Sequence, residues 1–375
     1  MRSPLIAIAA SIVFLAVVNA HADAQVPHPP SGKTQTYYIA ADEVVWDYSP
    51  QNVTTLPAPE EELEGRSLEG RSAAGKKYLK AIYREYTDAT FETVKPRPTE
   101  WEHLGILGPL IRAEVGDTVK VVFRNKTKTL YYCSMHPHGL AYAKNSEGAL
   151  YNDYNVKGSR GEGAGVERGS PIQPGRTYTY RWYVPESAGP GPDDPSSILW
   201  MYHSHFIEDQ EINAGLLGPI IVSRRGSTKP DGTPRDVDRE FITAFAIFSE
   251  TESPYFDKRR YPPNVNVDDP IFRKLNLWYT INGLIRGNLP MMTMKKGERV
   301  RWYLLANSNE DDVHAVHWHG QTVISNHMRT DVVNLGPMTM AVADMVPENV
   351  GIWLLHCHVN EHLRGGMTAL FTVAP

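Results

Sequence analysis

The sequence predicts an all-β protein that contains two copies of one domain. Segments such as TVKVVFRN, RTYTYRWYV, RVRWYLLA and MTALFTV alternate or cluster β-branched and aromatic residues, as strands do. Gly, Pro and Asn separate these segments, and no long helical period is present. The two copies show in the spacing. Strand segments begin at Gly116 and Gly297, and a His-x-His pair starts 20 residues after each, at His136 and His317.

The N-terminal segment MRSPLIAIAASIVFLAVVNAHADA predicts an export signal at residues 1–24. It combines a basic start at Arg2, an apolar core of about a dozen residues and small-x-small cleavage options around Ala22. The apolar stretch is too short for a membrane span, and no later stretch is long enough either. The sequence therefore predicts an exported protein, periplasmic or secreted.

Loops and a linker divide the rest of the chain. The charged repeat EEELEGRSLEGRS (60–72) and the Gly-rich segment VKGSRGEGAGVERGSPIQPG (156–175) are predicted to be loops. The polar run RRGSTKPDGTPRDVDRE (224–240) has the composition of an inter-domain linker. The length suits two domains. We therefore predict a first domain at 25–225, a linker at 226–240 and a second domain at 241–375.

Charge and cysteine content narrow the function. The net charge of −5 gives no reason to expect nucleic acid or an anionic membrane as a partner. The chain has two cysteines, Cys133 and Cys357, and exported proteins often pair cysteines in disulfides. A disulfide is therefore an open alternative, but Cys357 stands among histidines, which favours a metal ligand.

Histidines occur in four His-x-His pairs. Random placement of 14 histidines would give about 0.5 such pairs, so chance explains them poorly. A strand points residues i and i+2 to the same side, so the two histidines of each pair share a face. Without a metal, eight clustered imidazoles would repel one another when protonated, or lack partners when buried. Ordinary surface or core histidines are the alternative, but imidazole clusters suit copper or zinc. The pairs are His136/His138, His203/His205, His317/His319 and His356/His358.

The segment HCHVNEHLRGGM (356–367) adds a second kind of site. Cys357 points away from the histidines that flank it, and His362 and Met367 follow at fixed steps. His314 lies three residues before His317. Together with it, these residues offer two imidazoles, a thiolate and a thioether as donors. That is the ligand set of a blue-copper electron-transfer centre with a weak axial methionine, whereas zinc has no use for the thioether.

These motifs, HAVHWHG (314–320) and HCHVNEHLRGGM, resemble those of multicopper oxidases. YYIAADEVVWDYSP, YREYTDATFET, LGPLIRAEVGDTV, MYHSHFIEDQEINAGLLGPIIV and GIWLLHCHVNEHLRGGM look like parts of ceruloplasmin-type cupredoxin domains. With two domains, the chain most resembles the two-domain, laccase-like oxidases. The resemblance implies two cupredoxin-like Greek-key β-sandwich domains and four coppers per chain: one type 1, one type 2 and two type 3.

Carried over residue by residue, the resemblance assigns every copper ligand. The type 1 ligands would be His314, Cys357, His362 and Met367. The type 2 ligands would be His136 and His317. The type 3 ligands would be His138, His203, His205, His319, His356 and His358. In the first domain Cys133, Ser204 and Leu216 stand where His314, Cys357 and Met367 would be matched, and no histidine follows in FIEDQEINAGL. Only the second domain is predicted to be blue.

Four further residues are candidates for roles in turnover. Glu147 and Asp331 match acidic positions near the copper cluster in the family and would supply protons. Tyr142 matches a tyrosine beside the cluster in two-domain laccases and would donate an electron. Glu361, next to His362, retains one acidic position of a metal-ion substrate site. The alternatives are solvated loop carboxylates and a packed strand tyrosine.

The resemblance also implies a reaction and an assembly. A reductant would lose electrons one at a time through the edge of His362, and Cys357 would connect that site to the cluster, where O2 is reduced to water. Because each half supplies four of the eight cluster histidines, the cluster lies between two domains. Two-domain chains resemble the family's six-domain ring by forming homotrimers, so we expect clusters shared between subunits.

The substrate is the least determined feature. Ceruloplasmin-type ferroxidases carry an acidic residue and a histidine where this sequence has Lys274 and Tyr279, and a lysine repels Fe²⁺. The sequence therefore predicts a laccase-like oxidase of phenols or aromatic amines, with ferroxidase as an alternative. Seven methionines of the second domain besides Met367 leave a cuprous oxidase open. Copper nitrite reductase and a non-enzymatic copper carrier are disfavoured, because neither needs eight cluster histidines.

Overall fold

The computed structural model describes residues 32–56, 75–128, 132–151, 169–307 and 313–375. Over these ranges the chain forms 20 strands and three short α-helices, numbered in chain order. The predicted export signal at 1–24 and the predicted loop at 60–72 lie outside the described residues, as does most of the predicted loop at 156–175. No helix within the described ranges has both the length and the apolar character that a membrane crossing requires.

Two sheets form the first half. Sheet 1 has the strand order β2-β1-β4-β7-β6, and sheet 2 has the order β3-β9-β8-β5. The strands of sheet 1 are β1 (Thr34–Asp47), β2 (Lys77–Tyr86), β4 (Thr118–Asn125), β6 (Ala141–Tyr142) and β7 (Thr177–Tyr183). The strands of sheet 2 are β3 (Ile111–Glu114), β5 (His136–Pro137), β8 (Ser197–His203) and β9 (Leu217–Ser223).

Two sheets also form the second half. Sheet 3 has the order β11-β10-β13-β18-β15-β16, and sheet 4 has the order β12-β20-β19-β14-β17. The strands of sheet 3 are β10 (Arg239–Ser249), β11 (Leu277–Ile281), β13 (Val300–Asn307), β15 (Val323–Ser325), β16 (Met328–Thr330) and β18 (Met340–Met345). The strands of sheet 4 are β12 (Met292–Lys295), β14 (His314–Trp318), β17 (Val332–Leu335), β19 (Gly351–Cys357) and β20 (Thr368–Ala374).

The two halves repeat one topology, which confirms the predicted fold class. β1 runs parallel to β4 in the first half, as β10 does to β13 in the second. Likewise β3 runs parallel to β9, and β12 to β20. The four segments predicted as strands fall in β4, β7, β13 and β20. In β4 the alternation is complete: Val119, Val121 and Phe123 are fully buried, and the residues between them are partly exposed.

The helices are short and lie at chain reversals. They are α1 (Glu208–Ala214), α2 (Pro270–Leu275) and α3 (Asn360–Gly365). α1 and α3 end at Gly215 and Gly366, whose φ angles of 112° and 117° favour glycine, and each helix leads directly into a strand of its sheet. The predicted linker at 226–240 overlaps β10, which begins at Arg239.

A shared apolar core joins the halves. Leu199 and Met201 of β8 pack in one cluster with Ile242 and Ala244 of β10 and Tyr303 of β13, and all five are buried. Sheet 2 of the first half therefore packs on sheet 3 of the second. Because this interface is continuous and apolar, it fixes the orientation of the two halves within the chain.

A buried ion pair lies within the same interface. Lys80 Nζ is 2.5 Å from Glu250 Oε1, and the two side chains are 0% and 2% exposed. The ammonium also donates to the carbonyl oxygen of Asn213 at 2.7 Å, and the Tyr48 hydroxyl donates to Glu250 Oε1 at 2.5 Å. Every charge in this cluster has several partners, so loss of one partner leaves an uncompensated buried charge.

We expect Lys80→Met to lower the free energy of unfolding by about 3–5 kcal/mol, because Glu250 would remain buried without its cation. Denaturant unfolding of the metal-free protein measures this change. The matched control is Lys95→Met, which breaks the exposed ion pair of Lys95 with Glu85 (2.8 Å) and is expected to cost about 0–1 kcal/mol. Equal effects of the two substitutions would contradict the account of the interface.

Candidate metal centre

Three predicted ligands of the blue site converge inside the second half. Cys357 Sγ lies 3.5 Å from His362 Nδ1 and 3.9 Å from His314 Nδ1, and all three side chains are buried. Cys357 ends β19, His314 begins β14, and His362 lies in α3. Met367 follows the α3 glycine cap, is fully buried and donates its N–H to the carbonyl of His362 at 2.9 Å. The fold thus brings the three convergent donors and the methionine to one end of sheet 4.

The state of these groups fits a soft, imidazole-binding cation. Burial lowers the pKa of His314 to about 3, so the ring is neutral and able to act as a ligand. Its Nε2 atom is buried and has no hydrogen-bond partner among the residues that the structure describes. The Ala315 N–H donates to Cys357 Sγ at 3.4 Å, a contact that suits a thiolate. Two imidazoles, a cysteine sulfur and a buried thioether match copper better than zinc.

The four first-half histidines form one group. His136 and His203 are paired across β5 and β8, and their ring centroids are 5.6 Å apart. His138 Nε2 lies 2.9 Å from His203 Nε2, and the His205 ring lies 4.9 Å from that of His136. Strand alternation therefore places all four imidazoles together, as predicted from the pairs.

The four second-half histidines repeat this arrangement. His317 and His356 are paired across β14 and β19 in the same register as His136 and His203. His319 Nε2 and His317 Nδ1 lie 3.1 Å and 3.2 Å from His356 Nε2, and the His358 ring is 5.3 Å from that of His317.

Backbone carbonyls orient several of these rings. The Nδ1 atom of His136 lies 2.7 Å from the carbonyl oxygen of Glu147. That of His203 lies 2.9 Å from the carbonyl oxygen of Ser204, and that of His356 lies 2.9 Å from the carbonyl oxygen of Cys357. A neutral ring that donates from Nδ1 keeps its Nε2 lone pair for a metal. Burial lowers the pKa of His138 and of His356 to about 4, and neighbouring imidazoles act in the same direction. Both groups therefore fit a copper cluster.

The two histidine groups remain separate within the chain. Close donor groups among the described residues are His136–His138–His203, His314–Cys357–His362 and His317–His319–His356. None of them mixes histidines of the first half with histidines of the second. The ring contacts between cluster histidines in the described ranges also stay within one half.

Glu147 and Tyr142 lie beside the first-half group. The Tyr142 ring centroid is 5.8 Å from that of His136, and burial raises the pKa of its hydroxyl. The carboxylate of Glu147 is buried and bound on both oxygens: Lys144 Nζ lies 2.8 Å from Oε2, and the Tyr151 hydroxyl donates to Oε1 at 2.8 Å. Glu147 thus contacts the group through its main chain, while its side chain points to a Lys–Tyr pair that the sequence did not reveal.

Asp331 and Glu361 flank the second-half sites. Asp331 Oδ2 lies 3.5 Å from His317 Nε2, on an exposed side chain. Glu361 Oε1 lies 2.9 Å from Lys274 Nζ and accepts a hydrogen bond from the Tyr279 hydroxyl at 2.9 Å. These two contacts lower the pKa of the Glu361 carboxyl. The residues at the two altered substrate positions therefore bind the one carboxylate that remains.

The predicted entry point for electrons is covered. His362 is 3% exposed, and the Tyr279 ring packs on it with centroids 5.3 Å apart. A reductant in solution would meet exposed Glu361 and Lys274 rather than the imidazole edge. The electron route through the edge of His362 stays a prediction, and in this chain β11 places Tyr279 over that ring.

The first half holds an altered copy of the blue site. Cys133, Ser204 and Leu216 occupy it as predicted, and all three are fully buried. His362 lies four residues after His358, and the residue four positions after His205 is Asp209. In the structure, however, Glu211 lies at the position equivalent to His362. The Leu216 N–H donates to the Glu211 carbonyl at 3.1 Å, as the Met367 N–H does to that of His362. The segment from His203 to the cap at Gly215 is two residues longer than the equivalent segment from His356 to Gly366, which explains the error.

Sequence reasoning also missed Glu208. Its carboxylate oxygens lie 3.4 Å from His205 Nε2 and 3.8 Å from His203 Nδ1. Alignment on the helix caps at Gly215 and Gly366, rather than on the His-x-His pairs, would have found Glu211. Nothing in the sequence distinguishes Glu208 from the other acids of α1.

Comparison with known proteins agrees with this site. Two sequence profiles, each described as Multicopper oxidase, match residues 86–227 and 260–375. The chain is 39% identical over 354 residues to Hephaestin of Mus musculus and 39% identical over 350 residues to Ferroxidase HEPHL1 of Homo sapiens. Each match covers 91% of this chain and 29% of the relative, so the chain spans less than a third of their length.

A solved structure shares the fold. The Blue Copper Oxidase from Nitrosomonas europaea superimposes with a TM-score of 0.57 at 18% identity, covering 91% of this chain and 86% of that one. At this identity the likeness concerns the fold alone.

Proposed function

The chain belongs to the multicopper oxidase family, and on that premise we propose that it oxidises a low-valent metal ion, Fe²⁺ first among the candidates, while reducing O2 to water. The observation that supports an oxidase is the presence of two four-histidine groups together with a Cys357–His314–His362 site. The observation that favours a metal-ion substrate is the 39% identity to a protein named a ferroxidase.

Copper, when bound at these sites, supplies one-electron oxidation of the reductant and four-electron reduction of O2. We propose four coppers per chain, with His314, Cys357, His362 and Met367 at the blue site and the eight paired histidines at the cluster. Cys357 lies between His356 and His358, so the peptide backbone connects the blue site directly to two cluster ligands. This connection is the role that we assign to Cys357 beyond binding copper.

Carboxylates beside the histidines would handle protons. Glu147 is buried, and the Tyr151 hydroxyl that donates to it is partly exposed, so the two groups extend from solvent toward His136. Asp331 is exposed next to His317. We assign proton delivery to these two carboxylates, and Tyr142 remains the proposed local electron donor.

The relatives favour the metal-ion alternative over the phenol oxidase predicted from the sequence. A cuprous substrate has less structural support than a ferrous one. The second half has seven methionines besides Met367, and five of the seven pack in the cores: Met292, Met294, Met338, Met340 and Met345. The exposed ones are Met291 and Met328, at 46% and 69%. Core packing therefore accounts for most of the methionines.

Phenol oxidation is the second candidate, because one observation favours it. The ammonium of Lys274 binds Glu361 at 2.9 Å and places a positive charge where a dication would approach. A neutral aromatic reductant meets no such repulsion.

Oxygen uptake by the copper-loaded protein, with Fe²⁺ and with a methoxyphenol in parallel, tests the proposal. We expect four coppers per chain and faster uptake with Fe²⁺. Faster uptake with the phenol would reject the metal-ion substrate but keep the oxidase. A protein that binds copper and consumes no O2 with either reductant, or with Cu⁺, would reject the oxidase itself.

Removal of a positive charge next to Glu361 tests the position of the substrate. We expect Lys274→Ala to raise kcat/KM for Fe²⁺ by about tenfold, because it removes the repulsion and frees the carboxylate, and to leave the phenol rate within about twofold. The matched control is Arg273→Ala, which removes the neighbouring cation that pairs with Asp268 at 3.1 Å. Equal responses of Fe²⁺ and phenol would exclude Glu361 as the substrate contact.

We propose that the complete cluster forms between subunits of a homotrimer. Each half supplies four histidines, and the two groups remain apart within the chain. Ile352 lies four positions before His356 on β19, hence on the same face, and is 64% exposed. A second copy that covers this face would bury Ile352 and bring its first-half histidines to His356.

A further inference from the structure

The altered site of the first half matches the blue site contact by contact. The Ser134 N–H donates to Ser204 Oγ at 2.8 Å, where the Ala315 N–H donates to Cys357 Sγ at 3.4 Å. The Ser204 N–H donates to the Leu216 carbonyl at 3.1 Å, where the Cys357 N–H donates to that of Met367 at 3.2 Å. The backbone of the two sites is therefore equivalent at the strand and at the helix cap, so the side chains of the two sites can be compared directly.

Glu211 fills the place of the blue-site histidine in the first-half site, and no lysine or arginine among the described residues forms an ion pair with it. Glu211 is 0% exposed, and it accepts hydrogen bonds from the Phe206 N–H at 2.9 Å and the Ile207 N–H at 3.0 Å. The Ser204 hydroxyl lies beside this carboxylate. The two backbone hydrogen bonds connect the turn after β8 to α1, where a thiolate and an imidazole would share copper in the second half.

A network of serine side chains next to Glu211 spans both histidine motifs of the first half. Ser204 stands between His203 and His205, and Ser134 stands two residues before His136. The His205 N–H donates to Ser134 Oγ at 3.0 Å, and the Ser134 N–H donates to Ser204 Oγ. Each motif is therefore held to the other by a serine side chain, and the Glu211 carboxylate lies beside one of these serines.

The strand pairing itself is too short to hold the histidines without such support. β5 contains two residues, His136 and Pro137, and a proline cannot donate to a ladder. The longer β14 in the second half pairs over three residues with β19. Additional cross-strand contacts are therefore needed in the first half, and the serine network supplies them.

We propose that Glu211 is the positioning residue of the first-half histidine group, and that its hydrogen bonds replace the copper crosslink of the second half. This inference rests on the proposed copper cluster. Glu211 acts through Ser204 and the 205–207 turn, which fix the directions of the His203 and His205 side chains. Partners of metal ligands typically change metal affinity 10–100-fold when mutated.

The test compares Glu211→Ala with Glu211→Gln and uses copper retention against a chelator as the readout. For Glu211→Ala we expect cluster copper to be held about 10–100-fold more weakly, with loss of the near-ultraviolet absorption of the type 3 pair, while the blue absorption of the second half is unchanged. Glu211→Gln keeps one backbone acceptor and is expected to fall between the wild type and Glu211→Ala. Asp209→Asn is the matched control on the same helix and should retain all copper.

The outcomes separate this inference from the proposed function. Wild-type protein that binds no cluster copper would reject the proposed function. Wild-type protein with a full cluster, beside Glu211→Ala with equal cluster affinity, would reject the positioning role alone. If Glu211→Ala does not fold, Glu211→Gln, which keeps one of the two backbone acceptors, carries the test. Wild-type cluster affinity in Glu211→Gln would then overturn the proposal.

Discussion

A Cys357→Ser variant is expected to lose its blue absorption and all catalysed oxygen uptake while it keeps its fold. The thiolate is the shared neighbour of His314 and His362, at 3.9 Å and 3.5 Å, and a serine hydroxyl is a poor ligand for copper in a soft donor set. The first half shows that the frame accepts the substitution, because Ser204 occupies the equivalent position and accepts the equivalent N–H. Copper content should fall from four to three per chain.

Absorption spectra, copper analysis and oxygen uptake measure this result together. The control is Cys133→Ser, which changes the other buried thiol of the chain. Cys133 stands where His314 stands in the second half and belongs to none of the close donor groups in the described ranges, so all copper and activity should remain. A blue Cys357→Ser protein, or a colourless Cys133→Ser protein, would contradict the assignment of the blue site.

The convergence of the proposed copper ligands could be predicted from the sequence because their geometry is local. A His-x-His pair on a strand fixes the side of both rings whatever the rest of the fold does, and the structure groups all eight as the alternation requires. The same holds for Cys357 between His356 and His358. The fold class was predictable for a similar reason, since strands such as β4 show their burial in every second residue.

Residues positioned by loop length or by distant contacts could not be predicted in this way. Counting from the strand selected Asp209 instead of Glu211 as the equivalent of His362, because two additional residues precede the helix cap in the first half. Such a count does not reveal the additional residues. The Lys274–Glu361 pair joins residues that are far apart in sequence and requires α2 and α3 to lie side by side. The burial of His362 depends on Tyr279 from yet another strand.

Two inactive variants are expected to restore each other when they share an oligomer. His203→Ala destroys the first-half histidine group, and His356→Ala destroys the second-half group, so each variant alone has no complete cluster. In co-expressed mixed trimers, some interfaces combine an intact first half with an intact second half from the neighbouring chain. Random mixing of equal amounts makes about a quarter of the interfaces complete, so about a quarter of the wild-type oxygen uptake should return.

Restored activity would mean that a cluster forms from the first half of one chain and the second half of its neighbour. In every complete interface the intact second half also carries an intact Cys357 site, so the blue centre and the cluster remain connected. Co-expression of His203→Ala with His205→Ala is the matched control, because both lesions lie in the first half and no interface can become complete. Light scattering establishes that the mixed species are trimers. Absence of restoration in verified mixed trimers, or full activity of a wild-type monomer, would place the whole cluster within one chain. The separation of the two histidine groups would then have to close by a movement of the halves against their shared core, which the apolar contacts of Leu199 and Met201 with Ile242 oppose.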